Sequence, residues 1–339
     1  MPPSFTIRPA IAEESIRKVL VANGANDRVA TDVADALVRA SLRGIDSHGI
    51  ELLPSILKRV EAGRCQLSRP IQAINENTER ACVVFDANLA PGQHAGMAMA
   101  RAAADRAKRF GIGMACVRNS THFGAVAPYV EFIVENGMVG FVGSNSTPSM
   151  AAFGATFPNL GNNPLGFGAP VKDGPDLVVD FSCGVMSFGR LAKLQADGQP
   201  VPQDAFIKPT DIPQDGPVYE IAGDLKWAAL PFGGYKGASI AMMIEVLSGV
   251  LSGGNFGMKT ETMDGGTFRG PSHFAMAFSP NAFGIVDVAK QMETYVNDIA
   301  GQNATLRIPG DRASRVIDER SAAGIKVSQD LVAVLGTNN

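Results

Sequence analysis

The stretch RGIDSHGI, residues 43–50, places a carboxylate, a hydroxyl and an imidazole side by side between two predicted helices. Apolar residues recur every four positions in the first helix, residues 27–43, and Asn26 or Asp27 can cap its start. The second helix covers about residues 50–62 and ends at Gly63. Asp46, Ser47 and His48 are therefore either polar groups at a helix terminus or a catalytic group.

Working outward from this joint, a helical pattern gives way to a mixed one. A helix over 13–22 precedes the joint, whereas later segments are short, apolar and bounded by turn residues, which is typical of strands. The predicted strands are 81–87, 113–119, 138–145, 175–182 and 273–280, with an alanine-rich helix over 92–109. The glycine loop PFGGYKG (231–237) leads into a helix expected to be buried, and the last fifty residues are helical again. We therefore predict a helical domain from residues 1–75 and 285–339, and an α/β domain from residues 76–284.

Bulk composition excludes several classes of protein. The 339 residues carry a net charge of −3 without a basic block, so nucleic acid is not an expected partner. The N-terminal residues do not resemble a signal peptide, and the longest apolar stretch is too short to span a membrane. The four cysteines lie far apart, which predicts reduced thiols in the cytoplasm and neither a disulfide framework nor a zinc site.

Only four histidines are available for acid/base chemistry near neutral pH. His48 lies in the joint, and His122 follows a predicted strand, where ligands often bind in α/β domains. For both, the alternative is a loop histidine bonded to a backbone carbonyl. His94 opens a helix, which favours a surface or capping residue, and His273 begins a strand, which favours a structural role.

Two glycine-containing stretches are candidates for binding an anion. PFGGYKGAS places Lys236 and free backbone N–H groups at a helix start, and GNNPLGFGAP (161–170) is rich in hydrogen-bonding groups. Tight turn geometry explains either stretch without a ligand. No G-x-G-x-x-G motif follows a predicted strand, and no closely spaced His, Cys and Asp residues indicate a metal site. Ser47 does not stand in a G-x-S-x-G motif, so it is a poor candidate for a hydrolase nucleophile.

Taken in order, six stretches resemble the malate/L-lactate dehydrogenase family, which also contains sulfolactate and ureidoglycolate dehydrogenases, 2,3-diketogulonate reductase and cyclic-imine reductases. They are RGIDSHGI, NSTHFG, GNNPLGFGAP, VVDFSCGVMSFGR, LPFGGYKGASIAMMIEVLSG and RIPGDR, and the resemblance covers about residues 10–330. It implies an α/β (α+β) fold whose cofactor domain is non-Rossmann, with a mixed, largely antiparallel sheet, plus a helical domain built from both termini. It further implies NAD or NADP as cofactor, a small-molecule substrate and a homodimer.

The resemblance also implies roles for individual residues. His48 matches the proton donor to the substrate carbonyl, with Ser47 and Asp46 orienting or relaying, and His122 matches a second acid/base histidine; which of the two donates stays open. The expected cofactor contacts are His122, Phe123, Gly124, Ser146, Asn162, Asp180, Phe181, Ser182, Tyr235, Lys236, Arg307, Pro309, Gly310, Asp311 and Arg312.

Two departures from the family pattern bear on the substrate. Many members carry an arginine for the substrate carboxylate where this chain has Leu52, and leucine cannot bind a carboxylate. At Arg190 the imine reductases have aspartate, so Arg190, with Gly189, is the substrate-binding candidate and favours 2-oxo and 2-hydroxy acids. FGGYKG and LSGGNFG are closer to the imine reductases, so cyclic-imine reduction is the alternative. A non-catalytic binding protein and a Ser47 hydrolase are the rivals outside this class.

Overall fold

The computed structural model describes residues 5–74, 77–207, 227–264, 267–301 and 306–336. The predicted domain boundary at 75–76 lies outside these residues. In chain order the α-helices described are α1 (Pro9–Ala22), α2 (Asp27–Leu42), α3 (Leu53–Glu61), α4 (Gly92–Phe110), α5 (Ala127–Glu135), α6 (Phe188–Ala196), α7 (Tyr235–Glu245), α8 (Val288–Ala300), α9 (Asp311–Ala323) and α10 (Gln329–Leu335).

The strands described are short and numerous. They are β1 (Phe5–Ile7), β2 (Gln72–Ala73), β3 (Cys82–Asp86), β4 (Ile112–Arg118), β5 (Val139–Ser144), β6 (Pro148–Met150), β7 (Leu160–Gly161), β8 (Leu165–Ala169), β9 (Leu177–Phe181), β10 (Phe206–Ile207), β11 (Ala228–Ala229), β12 (Thr262–Asp264), β13 (Thr267–Arg269), β14 (His273–Phe278) and β15 (Ile325–Val327). The five predicted strands correspond to β3, β4, β5, β9 and β14, each within three residues at either end.

The two ends of the chain share one apolar core. The antiparallel pair β1–β15 joins them, and Ile16 and Leu20 of α1 are buried in the same cluster as Leu331 of α10. Asn26 caps α2, because its side chain accepts a hydrogen bond from the Val29 amide at 2.9 Å. The expectation of almost pure helix at both ends is wrong for β1 and β15, which are too short to show a periodic pattern.

The central sheet has seven strands in the order β2-β3-β4-β14-β5-β8-β9, and only β3 and β4 run parallel. This confirms the mixed, largely antiparallel sheet. Helices α4 and α5 cover one face through a buried cluster that includes Met99, Val130 and Ile133. Gly113 in β4 permits this contact, because a Cβ there would lie 2.0 Å from the Ala103 carbonyl oxygen of α4.

Helix α7 packs against the other side, in a third cluster with the small sheet β10-β11-β6-β7. Ala241 and Ile244 are buried, but Met242 and Met243 are each 59% exposed. The expectation of a buried helix is therefore wrong for one side of α7. Its sequence carries apolar residues on more than one side, and only one side of it is buried against the rest of the chain. The two-domain division stays a prediction.

Candidate functional site

The His48 turn is a single turn of 3-10 helix, Asp46–His48, that is separated from the end of α2 by residues 43–45. The hydroxyl of Ser41 on α2 accepts a hydrogen bond from the Ile50 amide at 2.9 Å, which fixes the far side of the turn. Gly49 makes this approach possible, since a Cβ there would lie 2.0 Å from the Ser41 hydroxyl oxygen. The joint is thus packed tightly against α2.

The His122 loop follows β4 and rests on the first residue of α4. The Gly92 amide donates to the Thr121 hydroxyl at 2.9 Å, and a Cβ on Gly92 would lie 2.6 Å from the His122 carbonyl oxygen. On the other side, the Tyr129 hydroxyl of α5 donates to the Phe123 carbonyl oxygen. The loop is therefore held by helices on both sides of it.

These two segments bring the two histidine candidates together. The ring centroids of His48 and His122 lie 5.5 Å apart with their planes tilted by 32°. The Ser47 hydroxyl oxygen lies 2.8 Å from Nδ1 of His48, which leaves Nε2 of that ring for a substrate. The arrangement suits proton transfer to or from a group bound between the rings.

Both rings face a cavity of about 520 Å³, a size typical of small-molecule sites. Most of the predicted site residues line it. They are Ser47, His48, His122, Phe123, Gly124, Ser146, Asn162, Asp180, Phe181, Ser182, Pro309, Gly310 and Arg312.

Burial controls the charge of this site. Burial lowers the pKa of His48, and the nearby Asp180 carboxylate opposes that shift. Burial also lowers the pKa of His122 to about 3, with a smaller contribution from the repulsion that a protonated His48 would exert on a second positive charge. The pKa of Asp180 is raised by burial, although that carboxylate accepts hydrogen bonds from the Ala127 and Val126 amides at 3.0 and 3.1 Å. At neutral pH both rings are therefore neutral in the free protein.

Asp46 lies outside the cavity lining, where its carboxylate is paired with Arg320 of α9. Tyr235 and Lys236 begin α7 and do not line the cavity either. Tyr235 instead contacts Phe153, which borders a second cavity of about 450 Å³.

Gly189 and Arg190 lie in the first turn of α6, beside the His48 turn. A Cβ on Gly189 would lie 4.0 Å from the Ser47 Cβ, and the Arg190 side chain is exposed, but neither residue lines the cavity. Arg307 is exposed outside the lining, and the Asp311 carboxylate accepts a hydrogen bond from the Ile308 amide at 2.8 Å.

Sequence reasoning missed several lining residues. Arg43, inside the RGIDSHGI stretch itself, is only 7% exposed, donates to Glu131 and lines the cavity. Asn145 and Glu261 also line it. No signal in the sequence marks Asn145 or Glu261, because each reaches the cavity through tertiary packing. Arg43 was detectable as the one cation in a stretch already singled out.

The other two histidines have structural partners. His94 was expected at the surface or as a cap, which is wrong, because its side chain is 12% exposed and its Nδ1 lies 2.6 Å from the buried Asp32 carboxylate. His273 is fully buried, stacks on Phe123 with centroids 4.5 Å apart, and places Nδ1 2.7 Å from the Ser144 hydroxyl oxygen. A structural role therefore fits His273, directly behind the site.

The start of α9 fits the diphosphate of a nicotinamide dinucleotide. The Pro309 carbonyl oxygen accepts a hydrogen bond from the Val178 amide at 3.1 Å, which holds this segment on β9. Gly310 has φ +115°, and a Cβ there would lie 2.4 Å from the Asp176 carbonyl oxygen. A helix N-terminus with Arg312 beside it offers amides and positive charge to phosphate oxygens.

Within residues 5–74, 77–207, 227–264, 267–301 and 306–336, no cluster of His, Cys, Asp and Glu side chains is arranged to hold a metal ion. No helix in those ranges has the length and apolar character required to cross a membrane.

Comparison with known proteins identifies the family. The sequence profile described as malate/L-lactate dehydrogenase matches residues 7–336. A malate/(S)-sulfolactate dehydrogenase of Methanothermus fervidus is 29% identical over 331 residues, covering 97% of this chain and 96% of its own.

Two solved structures share the fold. Malate dehydrogenase from Entamoeba histolytica superposes with a TM-score of 0.88 at 24% identity, covering 99% of both chains. The delta1-piperideine-2-carboxylate reductase from Pseudomonas syringae has a TM-score of 0.85 at 28% identity, covering 98% of both chains. With a profile match along nearly its whole length, this chain belongs to the malate/L-lactate dehydrogenase family, whose members named above are oxidoreductases of CH–OH or C=N groups.

Proposed function

We propose that this protein interconverts a small 2-oxo acid and its 2-hydroxy acid with NAD(P)H as the reductant, and that His48 and His122 supply the acid/base chemistry. The observation that carries the proposal is the contact of these two rings, with centroids 5.5 Å apart in the main cavity.

The two histidines meet the proton demand of this reaction. Reduction of a carbonyl leaves an alkoxide oxygen that must receive a proton, and a histidine within reach provides it. In the free protein both rings are neutral because burial lowers their pKa values. A bound substrate carboxylate raises the pKa of a neighbouring histidine, so substrate binding itself favours the protonated donor. In the opposite direction the neutral ring is ready to accept the hydroxyl proton.

Cofactor binding is assigned to the residues between the His122 loop and α9. Phe123, Gly124, Asp180, Phe181 and Ser182 line one part of the cavity, and Pro309, Gly310 and Arg312 line another. When bound, the nicotinamide supplies or removes a hydride at the substrate carbon. Tyr235, Lys236, Arg307 and Asp311 lie outside this lining, and we retain them as contacts of a closed or dimeric state.

The substrate carboxylate requires a cation, and Leu52 cannot supply one. Two observations support Arg190 as this cation: it follows Gly189, which lies beside Ser47 of the His48 turn, and its side chain is exposed. We propose that Arg190 binds the carboxylate. Its positive charge favours open-chain 2-oxo acids.

Cyclic-imine reduction is the second candidate. FGGYKG and LSGGNFG support it, and so does the 28% identity to the piperideine-2-carboxylate reductase over 98% of both chains. The same histidines would then act on a C=N group.

The assembly and location are part of the proposal. We propose a homodimer, supported by the exposed methionines of α7. Four free cysteines support a reducing, cytoplasmic compartment. The shared core of the chain ends supports a helical domain from residues 1–75 and 285–339 against an α/β domain over 76–284.

Oxidation of NADH and of NADPH at 340 nm tests the proposal. The panel contains pyruvate, oxaloacetate, longer and sugar-derived 2-oxo acids, and piperideine-2-carboxylate. Turnover of an open-chain acid is expected and identifies the cofactor. Turnover of the imine alone would replace the first candidate by the second. A bound cofactor at 100 times its Kd should add about 2.7 kcal/mol to the free energy of unfolding. If no substrate of the panel is turned over and neither NADH nor NADPH stabilises the protein, the protein is not a dehydrogenase.

A further inference from the structure

Arg320, near the end of α9, is bonded to the His48 turn. Its guanidinium donates to both carboxylate oxygens of Asp46, the second contact at 3.0 Å, and also to the Ser41 carbonyl oxygen at 2.5 Å. Asp46 begins the 3-10 turn that contains Ser47 and His48, and Ser41 holds the far side of that turn through the Ile50 amide. One guanidinium thus contacts both supports of the turn.

The opposite end of α9 is part of the main cavity. Pro309, Gly310 and Arg312 line it, and Val178 of β9 anchors this end. From Arg312 to Arg320 the helix rises about 12 Å. Midway along α9, Val316 lies 3.2 Å from where a Cβ of Gly44 would be, so the helix also packs on the segment before the turn. One rigid element therefore connects the proposed phosphate-binding end of the cavity to the histidine turn.

We propose that Arg320 is a positioning residue for the reaction: through its bidentate pair with Asp46 it holds the His48 turn in register with the cofactor-binding start of α9. This inference rests on the proposed function of the cavity. It also gives Asp46 a role different from a proton relay, because the Asp46 carboxylate is engaged by Arg320.

The pair is poorly placed to serve stability alone. The side chains of Asp46 and Arg320 are 54% and 24% exposed. Ion pairs this accessible to solvent contribute little to folding stability. A displacement of reacting groups by about 1 Å, in contrast, costs up to about 100-fold in rate. Loss of the pair should therefore appear in turnover more than in stability.

A double-mutant cycle tests the inference. Arg320→Met, Asp46→Asn and the double variant are compared with wild type at a temperature well below unfolding, using the substrate found by the panel. Arg17→Met is the matched control, because Arg17 forms a comparable exposed pair with Glu14 on α1, away from the cavity. Arg320→Lys retains the charge but not the bidentate fork.

We expect kcat to fall about tenfold in each single variant and no further in the double variant, with cofactor Kd and thermal midpoint near wild type. Arg320→Lys should recover part of the loss. A kcat for Arg320→Met within twofold of Arg17→Met, or losses that multiply in the double variant, would overturn the inference. So would a lowered midpoint with unchanged kcat, which is the signature of a purely structural pair.

A second readout does not depend on turnover. Amide hydrogen exchange over residues 45–50 should be faster in Arg320→Met and Asp46→Asn than in Arg17→Met, because the turn loses its outer support. Unchanged exchange overturns the inference by itself. An inactive wild type with faster exchange in the variants would instead refute the proposed function alone.

Discussion

At the scale of single residues, the pKa values of His48 and His122 decide how the site would respond to pH. Both pKa values lie below the usual 6.5, that of His122 at about 3. Oxidation of a hydroxy acid needs a neutral ring as the base. We therefore expect kcat/KM for oxidation to stay level from pH 8 to below pH 6.5, with the acid limb shifted downward. A limb centred at or above pH 6.5 in the pH–rate profile would contradict the buried, neutral pair.

Single substitutions distinguish the proton donor from its neighbour. His48→Gln or His122→Gln, whichever removes the donor, should lower kcat in both directions by about 100-fold or more. Loss of the other ring should act mainly on KM. Steady-state kinetics of the two variants decides the assignment, and His94→Gln is the control because His94 is paired with Asp32, outside the cavity lining. Wild-type turnover in both variants would remove histidine from the mechanism.

His273 makes a separate prediction about stability. Burial lowers its pKa to about 3, so between pH 6.5 and about 3 the unfolded chain binds a proton that the folded protein does not. Stability is therefore lost as the pH falls through this window. Between pH 7 and 5 wild type should lose about 2 kcal/mol more than His273→Gln. Urea unfolding of both proteins at both pH values measures this difference, which other titrating groups leave unaffected. Equal losses would show that His273 titrates normally.

Residue-level reasoning from sequence succeeded where the signal was local. His48 with Ser47, and His122 with Phe123 and Gly124, stand in short motifs, and all five line the cavity. It failed for His94, whose partner Asp32 lies 62 positions away in the chain and has no mark in the sequence. Side chains brought together by packing alone leave no such local pattern.

At the scale of elements, the start of α4 determines where the His122 loop lies. Gly92 lies so close to this loop that an added methyl would be 2.3 Å from the Thr121 carbonyl oxygen. Gly92→Ala should therefore displace His122, lower stability by about 1–3 kcal/mol and lower kcat. Gly184→Ala is the control, since its Cβ would meet nothing closer than 3.5 Å. Calorimetry and kinetics on both variants test this, and equal behaviour of the two would contradict the packing.

The elements that could be predicted were those with a long or strongly apolar pattern. Five of the seven strands of the central sheet and the helices α2 and α4 stand near their predicted positions, whereas β2 and β8 were not predicted. The strands β1 and β15 were not predicted, because a segment of three residues is too short to show a periodic pattern of apolar residues. Their pairing also joins segments that lie far apart in the sequence. The exposure of one side of α7 was not predicted, because an apolar sequence does not indicate which face of a helix packs against the same chain.

At the scale of the whole molecule, the exposed apolar residues of α7 and of the π-helical turn that continues it, Val246–Val250, predict association. Met242 and Met243 are each 59% exposed, and Val250 is 49% exposed. We expect a dimer in solution, and Met243→Lys should give a monomer because it places a charge in a desolvated interface. Ile74→Lys, at a position 47% exposed on another face, is the control. Light scattering after size exclusion measures the mass; a dimeric Met243→Lys or a monomeric wild type would contradict this.

The pairing of β1 with β15 also orders events during synthesis. Residues 5–7 emerge from the ribosome long before their strand partner, residues 325–327. The apolar side chains of α1 and α2 share a core with α10, so this core is not complete until α10 has been synthesised. The central sheet uses strands from residues 72–278 and has all of them earlier. The His48 turn, bonded to Arg320, thus reaches its final form only after α9 has been synthesised.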